Sequence, residues 1–94
     1  MISAVAVEIY DVEFIRSASL SAQQERIAEL VVTGHSYARI ADRLKISRVT
    51  VDHHIRELKR KLGFHPKRSG VHFAVMLYLY LDSKDRVALK DGSA

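Results

Sequence analysis

The chain has 94 residues, 48% of them hydrophobic, with a formal net charge of +4 and no cysteine. That length supports one small core and not two, and that apolar content excludes a disordered chain. The missing cysteines exclude disulfides, thiolate chemistry and cysteine-containing zinc sites, and the longest apolar run, Phe73–Leu81, is about half of what a bilayer requires. No secretory signal opens the chain, so a soluble cytoplasmic protein is expected.

Charge is unevenly distributed. Residues 1–19 carry a net −2, residues 70–94 balance, and residues 20–69 hold eleven Lys/Arg against five acidic residues. A basic block confined to one segment points to a face for a polyanion rather than to a generally solvated surface.

In chain order, Val5, Val7 and Ile9 alternate with Ala6, Glu8 and Tyr10, the two-residue period of a short strand. Asp11–Phe14 can extend it with a shifted phase, and a linker is expected over Arg16–Ala18. Ser21 and Gln24 form a capping-box pattern ahead of Ile27, Leu30 and Val31, and Gly34 supplies a stop. Ser36 caps a second helix with Tyr37, Ile40, Ala41 and Leu44 on one face, ending near Lys45–Ile46. Ser47 caps a third helix, which runs to Leu62 before Gly63.

Stepping about 100° per residue, Val51, Ile55, Leu58 and Leu62 form the buried stripe of this third helix. Val49, His53, Arg56 and Arg60 cluster on the opposite side, flanked by Asp52 and Lys59. His54 falls on the border of the stripe, so the two adjacent histidines diverge. A fourth helix begins at Ser69 or Gly70, after Pro66, and is apolar nearly all round from Val71 to Leu81. Val87 and Leu89 in the tail alternate as a further short strand would. The expected organisation is an N-terminal arm over 1–19, a helical domain over 20–81 and a tail over 82–94.

Two short helices joined by three residues, the second longer and basic, are a helix-turn-helix arrangement. Here the stretches "LSAQQERIAELVVTGHSYARIADRL" and "ISRVTVDHHIRELKRKLGF" make residues 20–75 resemble the LuxR-type helix-turn-helix DNA-binding domain. Gly34, Ile40–Ala41, Leu44, Ile46–Ser47, Thr50–Val51, His54 and Lys61–Leu62–Gly63 stand where that family's pattern expects them. The resemblance covers about three-fifths of the chain. Arg26 and Arg39 replace glutamates that usually help lock the family's core, and Gly70 replaces a helix former. The fold class implied is mainly α: a four-helix LuxR-type bundle with the short N-terminal strand and a short C-terminal one.

What that fold would do with its histidines can be weighed residue by residue. A helical zinc pair sits at i, i+4 on one face, whereas His53 and His54 diverge, and His35, His65 and His72 have no ligand spacing with them. No nucleophile pattern or paired carboxylates accompany them, so neither a metal, a cofactor nor a catalytic residue is expected, and the chain is read as no enzyme. His54 is expected to seat the helix. His53 projects from the outer face, near the half of a recognition helix that reaches base edges.

The partner implied is double-stranded DNA. Arg56 can bond guanine O6 and N7, His53 a purine N7, Asp52 a cytosine amine, and Val49 a thymine methyl. The resemblance implies that Asp52, His53 and Arg56 face bases. Ser36, Tyr37, Thr50, Lys59, Arg60, Lys61 and Lys67 are the phosphate candidates. The Phe73, Met76, Leu77, Tyr80 and Leu81 side of the fourth helix is expected to pack on a second copy, giving a homodimer on a palindromic site. The competing arrangement has the N-terminal strand fold back over that surface. By analogy with small regulators, a stand-alone repressor of its own operon is expected. The rival function is an interaction module, resembling sigma-factor region four, that holds RNA polymerase or another regulator.

Overall fold

The computed structural model describes residues 10–85, and among these it contains five helices and no strand. They are α1 (Val12–Ser17), α2 (Ala22–Val32), α3 (Tyr37–Leu44), α4 (Arg48–Leu62) and α5 (Gly70–Ser83). The Val5–Ile9 strand and the alternation at Val87 and Leu89 lie outside the described residues.

Local chemistry starts and stops the middle three helices. Ser21 Oγ accepts from the Gln24 amide at 3.1 Å while Gln24 Oε1 accepts from the Ser21 amide at 3.2 Å, closing the capping box. Ser36 and Ser47 repeat the serine cap at α3 and α4, accepting from the Arg39 and Thr50 amides. Each such cap contributes about 1 kcal/mol. α3 ends on Lys45 at φ 59° and α4 on Gly63 at φ 75°, both left-handed. Gly63 is doubly suited, because a Cβ there would lie 3.1 Å from the Phe14 ring.

α1 departs from the sequence expectation. Asp11–Phe14 does not prolong a strand and Arg16–Ser17 are not linker: Asp11 Oδ1 accepts from the Phe14 amide at 3.0 Å and caps a helix of six residues. So short a helix is not stable on propensity alone. It is held by Ile15, wholly buried between α1, α4 and α5 neighbours, and by Tyr10 beside it. Tyr10 meets His72 edge-on at 5.8 Å between ring centroids, and the Arg68 guanidinium lies 5.8 Å over its ring.

α5 packs most extensively against α2, and next against α1. Its Tyr80 hydroxyl donates to Glu25 of α2 at 2.8 Å. The side expected to face a second copy is the side that builds the monomer's core: Phe73, Met76, Leu77, Tyr80 and Leu81 are all at most 5% exposed. An interface between copies cannot use them. The cover that one helix face of a small domain could not supply comes in part from α1, which packs on α5. What α5 leaves outside is Val71, 71% exposed, and the half-exposed Ala74, Val75 and Tyr78.

Candidate nucleic-acid interface

Three residues, Lys45 to Ser47, join α3 to α4, and the hydrophobic turn residue Ile46 packs against the core between them. Ile40 and Ala41 of α3 and Val51 and Ile55 of α4 are all buried in one core, and the two helices pack together, so they hold a fixed relation. α4 is split along its length. Val51, Ile55, Leu58 and Leu62 are buried at 3% exposure or less, which orients every other residue of the helix.

Val49, His53, Arg56 and Arg60 therefore project from the molecule on one face, Val49 at 74% exposure. A bare valine so exposed gains nothing from folding. Arg56 forms no ion pair with a described residue, so its planar fork is available. Asp52 is half-buried on the flank and pairs with Arg48, whose Nε lies 3.3 Å from its carboxylate. The His53 and His54 rings meet edge-on at 5.7 Å and then part.

His54 turns inward. Its Nδ1 lies 3.5 Å from Nε2 of Gln24, which is 6% exposed on α2. Gln24 also accepts, through Oε1, from Lys61 Nζ at 2.9 Å, and Lys61 donates further to the Ser19 carbonyl at 3.1 Å. One buried amide thus ties the middle and the last turn of α4 to α2, in a fold where Arg26 and Arg39, exposed at the surface, take no part in the core. Lys61 is consequently not where the charged rail was expected: its ammonium is committed to the chain's own body.

The other phosphate candidates divide. Lys67 is exposed. Arg60 bonds Glu57 at 2.6 Å, and this guanidinium holds the Glu57 carboxyl below the usual carboxylate range. Lys59 Nζ sits over the Phe64 and Phe73 rings at 5.2 and 5.3 Å, at the edge of a surface hollow shared with Arg56 and Pro66. Ser36 Oγ is spent on its cap, and Thr50 Oγ1 lies 2.9 Å from Ser47 Oγ. Tyr37, at the start of α3, is half-buried beneath Arg48, whose guanidinium carbon lies 5.5 Å from the ring centroid. Burial, then the Asp52 charge, push the Tyr37 phenol above its ordinary value, with Arg48 opposing.

Arg48 is the residue that sequence reasoning overlooked. Its signal was present, since it stands one helical turn before Asp52, the i, i+4 spacing of a surface ion pair. Among the described residues, no group of three or more His, Asp or Glu side chains is placed to hold a metal ion. No described helix is long and apolar enough to cross a membrane.

A capped helix pair with a tight three-residue turn, the second helix cationic on its free side, defines a helix-turn-helix DNA-binding domain. The model of the bacterial regulatory proteins of the LuxR family matches residues 18–74, and the chain belongs to that family. It is a DNA-binding transcription regulator. No solved structure matches the chain.

Proposed function

We propose that the protein is a sequence-specific repressor that acts alone, as a homodimer in the cytoplasm, laying α4 in the major groove of a palindromic site. Val49, His53 and Arg56 meet base edges, with Asp52 on the flank. Thr50, Tyr37, Ser36, Lys59, Arg60 and Lys67 lie along the phosphates. The reading is of a binding protein, with no catalytic step.

The single observation that carries this reading is the exposed outer face of α4, where Val49, His53 and Arg56 project with no part of the described chain over them. A stiff helix with that face free fits a groove that admits one helix. Titration against random duplex at rising salt tests it. Neutralised phosphates release counterions, so the logarithm of affinity should fall steeply and linearly with the logarithm of salt. Binding indifferent to salt would refute the electrostatic account.

The dimer is assigned to the outward strip of α5 and not to its buried side. Val71, Ala74, Val75 and Tyr78 fall at i, i+3, i+4 and i+7, one face of the helix. Two copies joined by a two-fold there would present two α4 helices to successive turns of duplex, about 34 Å apart. Sedimentation should show a dimer at tens of micromolar that Tyr78→Glu converts to a monomer. A wild-type monomer under those conditions would remove the dimer.

A further inference from the structure

Arg48 and Asp52, in the first turns of α4, and Tyr37, the first residue of α3, form a unit in which Arg48 has so far been given no role. Arg48 is the first residue of α4, and its side chain is 55% exposed. Its Nε donates to Asp52 Oδ1 at 3.3 Å. Its guanidinium lies over the Tyr37 ring, 5.5 Å from the centroid.

Two restraints act on one planar cation. The carboxylate fixes the Nε edge and the aromatic ring fixes the face. Neither uses the two terminal nitrogens, and no described residue bonds them. A guanidinium held in that way presents a preset end-on fork, the shape that matches two adjacent acceptors. Holding it beforehand removes part of the ordering cost of binding.

The same geometry bears on Asp52. A bare carboxylate on a face meant for a polyanion is repelled by it. Paired with Arg48, it is neutralised and has a different use.

We propose that Arg48 reads a guanine through its terminal fork, and that Asp52 and Tyr37 are positioning residues that hold this fork rather than readers themselves. The inference rests on α4 entering the major groove. It adds one base position per half-site to those met by His53 and Arg56, on the side nearest α3. It removes cytosine recognition from Asp52.

The test is selection of bound duplexes from a random pool by the full chain, for wild type, Arg48→Lys, Asp52→Asn and Arg56→Ala. Arg48→Lys keeps the charge and loses the fork, so it should bind duplex but lose about tenfold or more in discrimination at one guanine. The position relaxed by Arg56→Ala should stay intact in that variant. Asp52→Asn removes a negative charge and loosens the guanidinium, so it should bind all duplexes more tightly while discriminating less at the Arg48 guanine. A purely structural role for Asp52 would not split affinity from discrimination in opposite directions. An Arg48→Lys protein that enriches the unaltered motif overturns this assignment alone. So does an Asp52→Asn protein that keeps the motif and binds every duplex more weakly. A wild-type protein that enriches no motif overturns both this and the groove reading beneath it.

Discussion

α4 and α5 are of similar length, and both place about a third of their residues in the core, yet they are put to opposite uses. α4 buries one stripe and turns a charged face outward, so its free side is available to a partner in water. α5 buries a wide apolar sector against α2 and α1 and leaves outside a single strip, Val71, Ala74, Val75 and Tyr78. The difference lies in how each helix is surrounded. α4 is covered along a stripe of about 60°, Val51, Ile55, Leu58 and Leu62, whereas α5 is covered over a sector about twice as wide, with α2 and α1 as its main neighbours. The free side of α4 is charged, and the buried side of α5 is the scaffold that holds it.

Substitutions should separate the two roles. The largest effect is expected at Leu77 of α5, which is wholly buried. Leu77→Ala should cost about 2–5 kcal/mol of stability in urea unfolding, through lost transfer energy and a residual cavity. A cost below 1 kcal/mol would mean that α5 is not the scaffold described. Arg56→Ala comes next: about 1–3 kcal/mol of binding and relaxed preference at one base position, with stability unchanged. If it instead weakened every duplex alike, Arg56 would be a phosphate contact.

Lys61 and Lys67 sharpen the contrast within the cationic set. Lys61→Ala should remove about 1 kcal/mol of stability, by stripping Gln24 and the Ser19 carbonyl of a charged donor, and leave the salt slope of binding as it was. Lys67→Ala should do the reverse, leaving stability unchanged and lowering the slope by about 1. Comparing melting and salt titrations of the two variants checks both halves. The smallest effect is expected at Glu57. Glu57→Gln frees Arg60 from its 2.6 Å pair, so binding to all duplexes should tighten slightly and the salt slope should steepen. Acid does the same. Glu57 titrates below the ordinary carboxylate range, so its pair with Arg60 is complete above that range and is lost only as pH falls through the depressed value.

The legible and illegible parts of this chain differ for reasons that can be stated. α2, α3 and α4 could be bounded from residues alone because Ser21, Ser36 and Ser47 each satisfy a first-turn amide locally and Gly63 stops α4 in a left-handed conformation. The inward stripe of α4 was equally readable, and with it the outward placement of His53 and Arg56. α1 was not readable, since a helix of six residues owes its existence to what Ile15 is packed against. Nor was the inner side of α5, because a segment apolar all round carries no phase by which to orient it. Lys61 looked like its basic neighbours until a distant partner, Gln24, turned it inward.

Sequence by itself determined the periodic, capped helices, the cationic character of α4 and the two directions taken by its adjacent histidines. These follow from interactions within a turn or two of backbone. Tertiary structure alone decided which face of α5 is covered, that the six residues of α1 cover it as a helix, and which cations remain free. Those outcomes depend on contacts between residues far apart in the chain, such as Gln24 with Lys61 and Glu25 with Tyr80, and no local pattern encodes them.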